Sequence, residues 1–106
     1  MPQPITPTRD PDALAQDLCT ALLAPADREE MCRFLSDLCT PSELRTMAER
    51  WHVARLLDGT GLSYREIHEA TGVSTTTIVR VARFLRQEKN LGYRLAIDAA
   101  EALDAG

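Results

Sequence analysis

The sequence predicts an all-α protein of six short helices. No stretch alternates apolar and polar residues with the period of two that a half-buried strand requires. Apolar side chains instead recur three or four residues apart, and most such stretches follow a residue that can cap a helix. Composition agrees, because 44% of the 106 residues are apolar and only 5% are aromatic. The expected helices cover about 11–23, 27–39, 41–58, 64–70, 75–90 and 93–103.

Helix start signals mark the first half of the chain. Asp10 followed by Pro11 places an N-cap before a proline at the first helical position. Thr40-Pro41-Ser42-Glu43 is a stronger start, because it adds a capping-box glutamate. Prolines at positions 2, 4 and 7 instead favour an extended, disordered arm over 1–9. Residues 10–106 are expected to form one helical domain.

The segment 63–85 is typical of a helix-turn-helix. Ser63 and Glu66 have the spacing of a capping box, so a short helix is expected to start there. Gly72 can adopt the left-handed conformation that a tight turn requires, and Ser74 can cap the next helix. The apolar residues of that helix have helical spacing: Ile78, Val81, Ala82 and Leu85. In proteins with this motif, the second helix enters the major groove of DNA.

Three consecutive threonines favour this interpretation over a plain helical hairpin. A hairpin needs the same glycine and the same apolar spacing. It does not need Thr75, Thr76 and Thr77, whose β-branched side chains lower helix propensity. At the start of a DNA-reading helix, these hydroxyls would face base edges, with Arg80 one turn further on.

The charge distribution leaves nucleic acid open as a partner although the net charge is −4. Five basic and three acidic residues give the segment 63–90 a charge of +2, whereas residues 1–39 carry −4. Because binding depends on the local field, double-stranded DNA remains the expected partner of the helix-turn-helix. The acidic first 39 residues keep an alternative open, a protein-interaction module that uses the same surface without specific DNA binding.

Several other classes of protein are not expected. No run of about 18 apolar residues, the length of a membrane-spanning helix, is present. Cys19, Cys32 and Cys39 form no C-x-x-C pair, which favours reduced core thiols in a cytoplasmic protein. His52 and His68 lack metal-ligand spacing, and no nucleophile–base pair is evident. We therefore expect no metal, no cofactor and no enzymatic activity.

The apolar faces of the first two helices predict a homodimer. A monomer of 106 residues would not cover these faces easily. If the N-terminal helices wrap around a partner copy, that surface is hidden, and folding becomes inseparable from association. The two-fold symmetry of such a dimer would make its DNA site palindromic.

The stretch from Thr40 to Leu85 resembles the core of the Trp repressor superfamily, in particular its short bacterial TrpR-related (YerC/YecD-like) branch. The resemblance implies a six-helix, intertwined homodimer that binds operator DNA. It also implies that Arg65 and His68 approach phosphates. Judged from its helix position alone, Arg83 is either a phosphate contact or part of a solvated helix face. Carried over by position, the base-reading residues would be Thr75, Thr76, Thr77, Val79 and Arg80.

The same resemblance implies a candidate effector pocket. The family's tryptophan pocket would fall on Thr40, Arg50, Thr77 and Arg80. A surface ion pair is the ordinary alternative for Arg50. Val81 and Phe84 stand where the repressor has small residues that make room for the ligand. We therefore predict a sequence-specific transcription regulator of a palindromic operator that does not respond to tryptophan, and the presence of any other effector stays open.

Overall fold

The structure, a computed structural model, describes residues 5–105, and their side chains up to residue 103. Six helices form within that range, and no strand does: α1 (Pro11–Leu22), α2 (Arg28–Leu38), α3 (Pro41–Gly59), α4 (Tyr64–Thr71), α5 (Thr75–Arg86) and α6 (Gly92–Ala105). The predicted all-α fold of six helices is confirmed. None of the helices in the described part of the chain is long and apolar enough to cross a membrane.

The chain divides into two compact units, Met1–Pro41 and Ser42–Gly106. The single domain expected over 10–106 and the disordered arm expected over 1–9 stay predictions, and residues 1–4 lie outside the described range. In the first unit, neither α1 nor α2 buries a single residue. Cys19 and Cys32, predicted as core thiols, are exposed there, and none of the three cysteines forms a disulfide within the described residues.

The second unit contains the hydrophobic core. Side chains from α3, α4, α5 and α6 meet in it, together with one residue of the turn between α4 and α5. The buried set is Val53, Ala54, Leu57, Ile67, Val73, Ile78, Val81, Ala82, Leu85 and Ile97. Every residue that the helix-turn-helix pattern placed on the inner side of α5 belongs to this set, so α5 presents its other face to solvent.

Helix α5 ends at Arg86 rather than near residue 90. The backbone N–H groups of Gln87 and Glu88 both donate to the carbonyl oxygen of Arg83, at 2.8 Å and 3.2 Å. Two donors on one carbonyl close the last turn, as is common at helix C-termini. The next helix begins at Gly92 and extends to Ala105, one residue earlier and two later than predicted.

Two arginines bind the C-terminal end of α3. Arg86 Nη2 donates to the carbonyl oxygen of Leu57 at 3.1 Å. Arg94 donates from both terminal nitrogens to the two carboxylate oxygens of Asp58, and also to Asp98. The last carbonyls of a helix lack intrahelical donors and carry partial negative charge, so cations are stabilising there. Side chains from α5 and α6 thus tie both helices to the end of α3.

The pKa of Asp58 is lowered chiefly by its hydrogen bonds to Arg94. Burial opposes this effect, and the charges of Arg94 and Arg86 lower the pKa further. A carboxyl whose pKa is lower in the folded than in the unfolded chain stabilises the fold above its unfolded pKa. That contribution disappears as the pH falls through the folded pKa.

We expect Asp58→Asn to lower the free energy of unfolding at pH 7 by about 0.5–1 kcal/mol, as for a well-aligned, partly exposed ion pair. The difference between wild type and variant should shrink as the pH drops below about 4, the ordinary value for aspartate. Urea unfolding of both proteins at a series of pH values measures this difference in the free energy of unfolding. Asp98→Asn is the matched control, since it leaves the Asp58–Arg94 pair intact. A difference that is constant from pH 7 to pH 3 would contradict this assignment.

Candidate nucleic-acid interface

Helix α4 begins with a complete capping box. The backbone N–H of Glu66 donates to Ser63 Oγ at 3.1 Å, and the N–H of Ser63 donates to Glu66 Oε1 at 3.0 Å. The bond from Ser63 lowers the pKa of the Glu66 carboxyl. Both partners are local in sequence, which is why the spacing predicted this helix start. Ile67 then enters the core one residue later.

The turn between α4 and α5 is stabilised by a glycine in the left-handed conformation and by two polar side chains that contact its backbone. Gly72 has φ 75°, in the left-handed region, and its N–H donates to the carbonyl oxygen of His68 at 2.9 Å. Thr71 Oγ1 accepts from the N–H of Val73 at 3.1 Å. His68 Nδ1 lies 2.7 Å from the carbonyl oxygen of Val73. Because a carbonyl only accepts, Nδ1 carries the proton in this contact, and His68 also serves the turn.

Gly72→Ala should lower the free energy of unfolding by about 1–2 kcal/mol, because a Cβ strains the left-handed conformation. A Cβ built there meets no atom within 4 Å, so the loss is conformational rather than steric. Gly61→Ala is the matched control, with equally open space and no positive φ. Thermal unfolding should show a lower midpoint temperature for Gly72→Ala than for Gly61→Ala. Equal destabilisation of both would show that the turn does not depend on this conformation.

The three threonines in the first turn of α5 have different surroundings. Ser74 Oγ accepts from the backbone N–H of Thr77 at 3.2 Å and donates to Thr77 Oγ1 at 3.0 Å. Thr77 is half-buried, so part of its side chain serves the cap. Thr75 and Thr76 are exposed, and within the described residues neither side chain has a hydrogen-bond partner. Val79 is 50% exposed on the following turn.

The arginines of the candidate interface differ in how they are bound. Arg65 Nε pairs with Glu69 at 3.1 Å, and Arg83 Nε pairs with Glu88 at 2.7 Å. Arg80 makes no ion pair to a carboxylate in the part of the chain that the structure describes. Its guanidinium carbon instead lies over the ring of Phe84, 4.5 Å from the centroid. Arg83 is thus held by a carboxylate and Arg86 by the carbonyl oxygen of Leu57, whereas Arg80 has an aromatic ring as its contact.

The four residues of the candidate effector pocket have different surroundings. Thr40 belongs to the first compact unit. Arg50 lines a groove of about 340 Å³ with four other residues of α3, and neither Thr77 nor Arg80 is among them: Ser42, Glu43, Thr46 and Met47. The Nε atom of Arg50 is buried, and no hydrogen-bond partner for it lies within the described residues. Val81 is completely buried in the core.

Comparison with known proteins decides the family. The sequence profile of the Trp repressor protein family matches residues 13–101. The chain belongs to the Trp repressor family. The match covers all of α2 and all but the first two residues of α1.

Two relatives agree with this membership in the Trp repressor family. YerC of Bacillus subtilis (strain 168), an uncharacterized protein, is 43% identical over 81 residues, which is 76% of each chain. The crystal structure of a TrpR like protein from Eubacterium eligens ATCC 27750 has 32% sequence identity and a TM-score of 0.75. That match covers 84% of this chain and 90% of the other. The predicted resemblance to the superfamily and to its YerC-like branch is confirmed.

Sequence reasoning missed the partners of the basic residues in this Trp repressor family member. Phe84 follows Arg80 by four residues, the spacing of neighbours on a helix, so this contact had a usable signal. Glu88 lies beyond the true end of α5, where the sequence predicted continued helix. The contact of Arg86 with Leu57 spans 29 residues and had no local signal. No cluster of three or more potential metal ligands occurs among the described residues.

Proposed function

We propose that this protein is a sequence-specific, DNA-binding transcription regulator that reads a palindromic operator through its helix-turn-helix. The observation that carries the proposal is the outer face of α5. Thr75, Thr76 and Arg80 lie exposed on its first two turns, without carboxylate partners in the described part of the chain. Hydroxyls and an arginine at the N-terminal end of such a helix are the groups that read base edges. Membership in the Trp repressor family supports the same function.

Phosphate contacts are proposed for Arg65, His68 and Arg83. The Arg65–Glu69 pair is exposed, with 88% and 63% of the two side chains accessible. Exposed ion pairs stabilise a protein little, so a phosphate can replace the carboxylate at small expense. His68 already donates Nδ1–H within the turn, so the proposed contact of Nε2 with a phosphate requires the imidazolium form, in which both ring nitrogens are donors. Thr77 and Val79 complete the proposed DNA surface around the exposed threonines.

A homodimer is part of the proposal. Three leucines of α1 and α2 remain substantially exposed in one chain: Leu14 at 54%, Leu18 at 41% and Leu38 at 48%. A second copy with the same faces can cover them, because a two-fold interface pairs like surfaces. The two helix-turn-helix units would then address two half-sites of one palindrome. We also propose a cytoplasmic location, in keeping with the free cysteines.

The experiment that tests the function is selection of bound fragments from random duplex DNA, followed by affinity measurements over a salt series. A regulator should enrich a palindrome. The logarithm of its affinity should fall with the logarithm of salt concentration, by a slope of about −0.9 for each neutralised phosphate. No enrichment and no duplex binding at low salt would overturn the proposal. That outcome would favour the protein-interaction module, which the pairing of Arg65 and Arg83 with carboxylates and the net charge of −4 also favour.

L-Tryptophan is not expected to bind. Val81 is completely buried at one of the two positions where the family has small residues. Phe84 places an aromatic ring at the second of these positions. An amino group buried there without an acceptor would lose about 1–3 kcal/mol. Isothermal titration calorimetry should show no heat of binding at micromolar protein. Micromolar binding that also tightens operator affinity would disprove the prediction, whereas Arg50 leaves room for a different anionic effector.

A further inference from the structure

Phe84 has two guanidinium groups beside its ring. The guanidinium carbon of Arg80 is 4.5 Å from the ring centroid, and that of Arg83 is 5.3 Å away. Both distances lie within the range of a cation–π interaction. Phe84 itself is half-buried, so neighbouring residues restrict the orientation of its ring.

The two arginines on this ring have different surroundings. Glu88 Oε1 accepts from Arg83 Nε at 2.7 Å and so offsets the charge of Arg83. This reduces the repulsion between two like charges beside one ring. Arg80 has no such carboxylate among the described residues, and the ring is the contact that holds its guanidinium. The ring is therefore positioned to determine where the Arg80 side chain points.

Stacking on a ring occupies the face of a guanidinium and leaves its edge free. The edge carries the N–H donors, which are arranged to bind two acceptor atoms at once. Double-stranded DNA offers such acceptor pairs in two places, on O6 and N7 of guanine and on the oxygens of a phosphate. An arginine that is already held in place loses less conformational freedom on binding.

We propose that Phe84 is a positioning residue, whose ring holds the Arg80 guanidinium so that its N–H donors meet an acceptor pair on double-stranded DNA. The inference rests on the proposed function and deepens it. Phe84 does not touch DNA in this arrangement. It acts through Arg80, and the loss of its ring should have no effect on binding once Arg80 is removed.

A double-mutant cycle tests this dependence on the operator obtained by selection. Phe84→Leu keeps an apolar side chain but removes the ring, and it should weaken operator binding about 2- to 5-fold for each half-site, the range of one exposed cation–π contact. Phe84→Tyr keeps the ring and should retain wild-type affinity. In an Arg80→Ala background, Phe84→Leu should change the affinity less than 2-fold, since the two effects are coupled. Equal losses from Phe84→Leu in both backgrounds, or wild-type affinity for Phe84→Leu alone, would overturn the inference.

Modified duplexes distinguish the two sources of acceptors. If Arg80 binds guanine, 7-deazaguanine at one position of the half-site should abolish the difference between wild type and Phe84→Leu. If it binds a phosphate, a methylphosphonate should do so instead, and Arg80→Ala should reduce the salt slope of the dimer by about two, because one phosphate contact is lost in each half-site. If wild type and Phe84→Leu still differ in affinity on every modified duplex, the ring does not act through a contact of Arg80 with DNA, and the inference is overturned.

A measurement without DNA separates this inference from the proposed function. The ring current of Phe84 should shift the side-chain proton resonances of Arg80 in the free wild-type protein, and Phe84→Leu should abolish the shift. Unshifted Arg80 resonances in the wild type would overturn the positioning role whatever the protein binds. If the shift is present but no duplex binds, the proposed function fails, and with it the DNA contact of Arg80, while the Phe84–Arg80 contact stands.

Discussion

Arg80→Ala is expected to weaken operator binding by about 1–3 kcal/mol, or roughly 5- to 150-fold, without unfolding the protein. Arg80 lies on the face of α5 opposite its buried residues, and its charge is not offset by a carboxylate within the described residues. The fold should tolerate the change because the side chain contributes only one contact, to an aromatic ring at 4.5 Å. Affinity and unfolding temperature measured on the same preparation test both parts.

Arg83→Ala is the matched control for this experiment. It removes the same charge one turn further along the same helix, but from a residue that is paired with Glu88 at 2.7 Å. We expect a smaller loss that is similar for operator and for unrelated duplex, as for a phosphate contact. An Arg80 variant that loses stability in proportion to binding would assign Arg80 a structural role instead.

The second large effect concerns the first compact unit. Replacing both Leu14 and Leu18 with glutamate should dissociate the proposed dimer and raise its dissociation constant by at least about a hundredfold. Each leucine that becomes fully buried contributes about 1.5–3 kcal/mol, and each substitution counts twice in a symmetric dimer. Sedimentation should show a monomer, and urea unfolding should shift to lower midpoints because folding and association are coupled.

Concentration gives an independent check on the same prediction. The unfolding midpoint of the wild type should rise with protein concentration, as mass action requires for a dimer. Gln16→Glu is the control, because it adds a negative charge to the same helix at a position off the Leu14–Leu18 face. A wild-type protein that sediments as a folded monomer at dilute concentration would contradict the dimer.

Features that depend on neighbours in sequence could be predicted. The capping box of Ser63 and Glu66 and the left-handed Gly72 each need only a few residues, so local chemistry determines them. The end of α5 could not be predicted, because it depends on how Gln87 and Glu88 share one carbonyl oxygen. The ion pair of Arg94 with Asp58 joins residues 36 positions apart, and no periodicity in the sequence reports it.

In the candidate site too, the features set by local spacing could be predicted, and those set by side-chain conformation could not. Periodicity identified the buried and exposed faces of α5, and with them the exposed positions of Thr75, Thr76 and Arg80. It did not show which cations are already paired, since that depends on side-chain conformation rather than on spacing. The contact of Arg80 with Phe84 is an intermediate case, because four-residue spacing makes two helical side chains neighbours but does not make them stack.

The unequal roles of the three threonines bear on how such a protein can change its operator preference over time. Thr77 Oγ1 accepts a hydrogen bond from Ser74 Oγ, the N-cap hydroxyl of α5, so a replacement at Thr77 removes the contact that orients this cap. Thr75 and Thr76 are exposed and bind nothing within the described chain, and many residue types fit the first turn of a helix. If α5 reads DNA as proposed, substitutions at these two positions change the chemistry presented to base edges and leave the core and the cap unchanged. The operator preference can then change through positions 75 and 76 without a loss of stability.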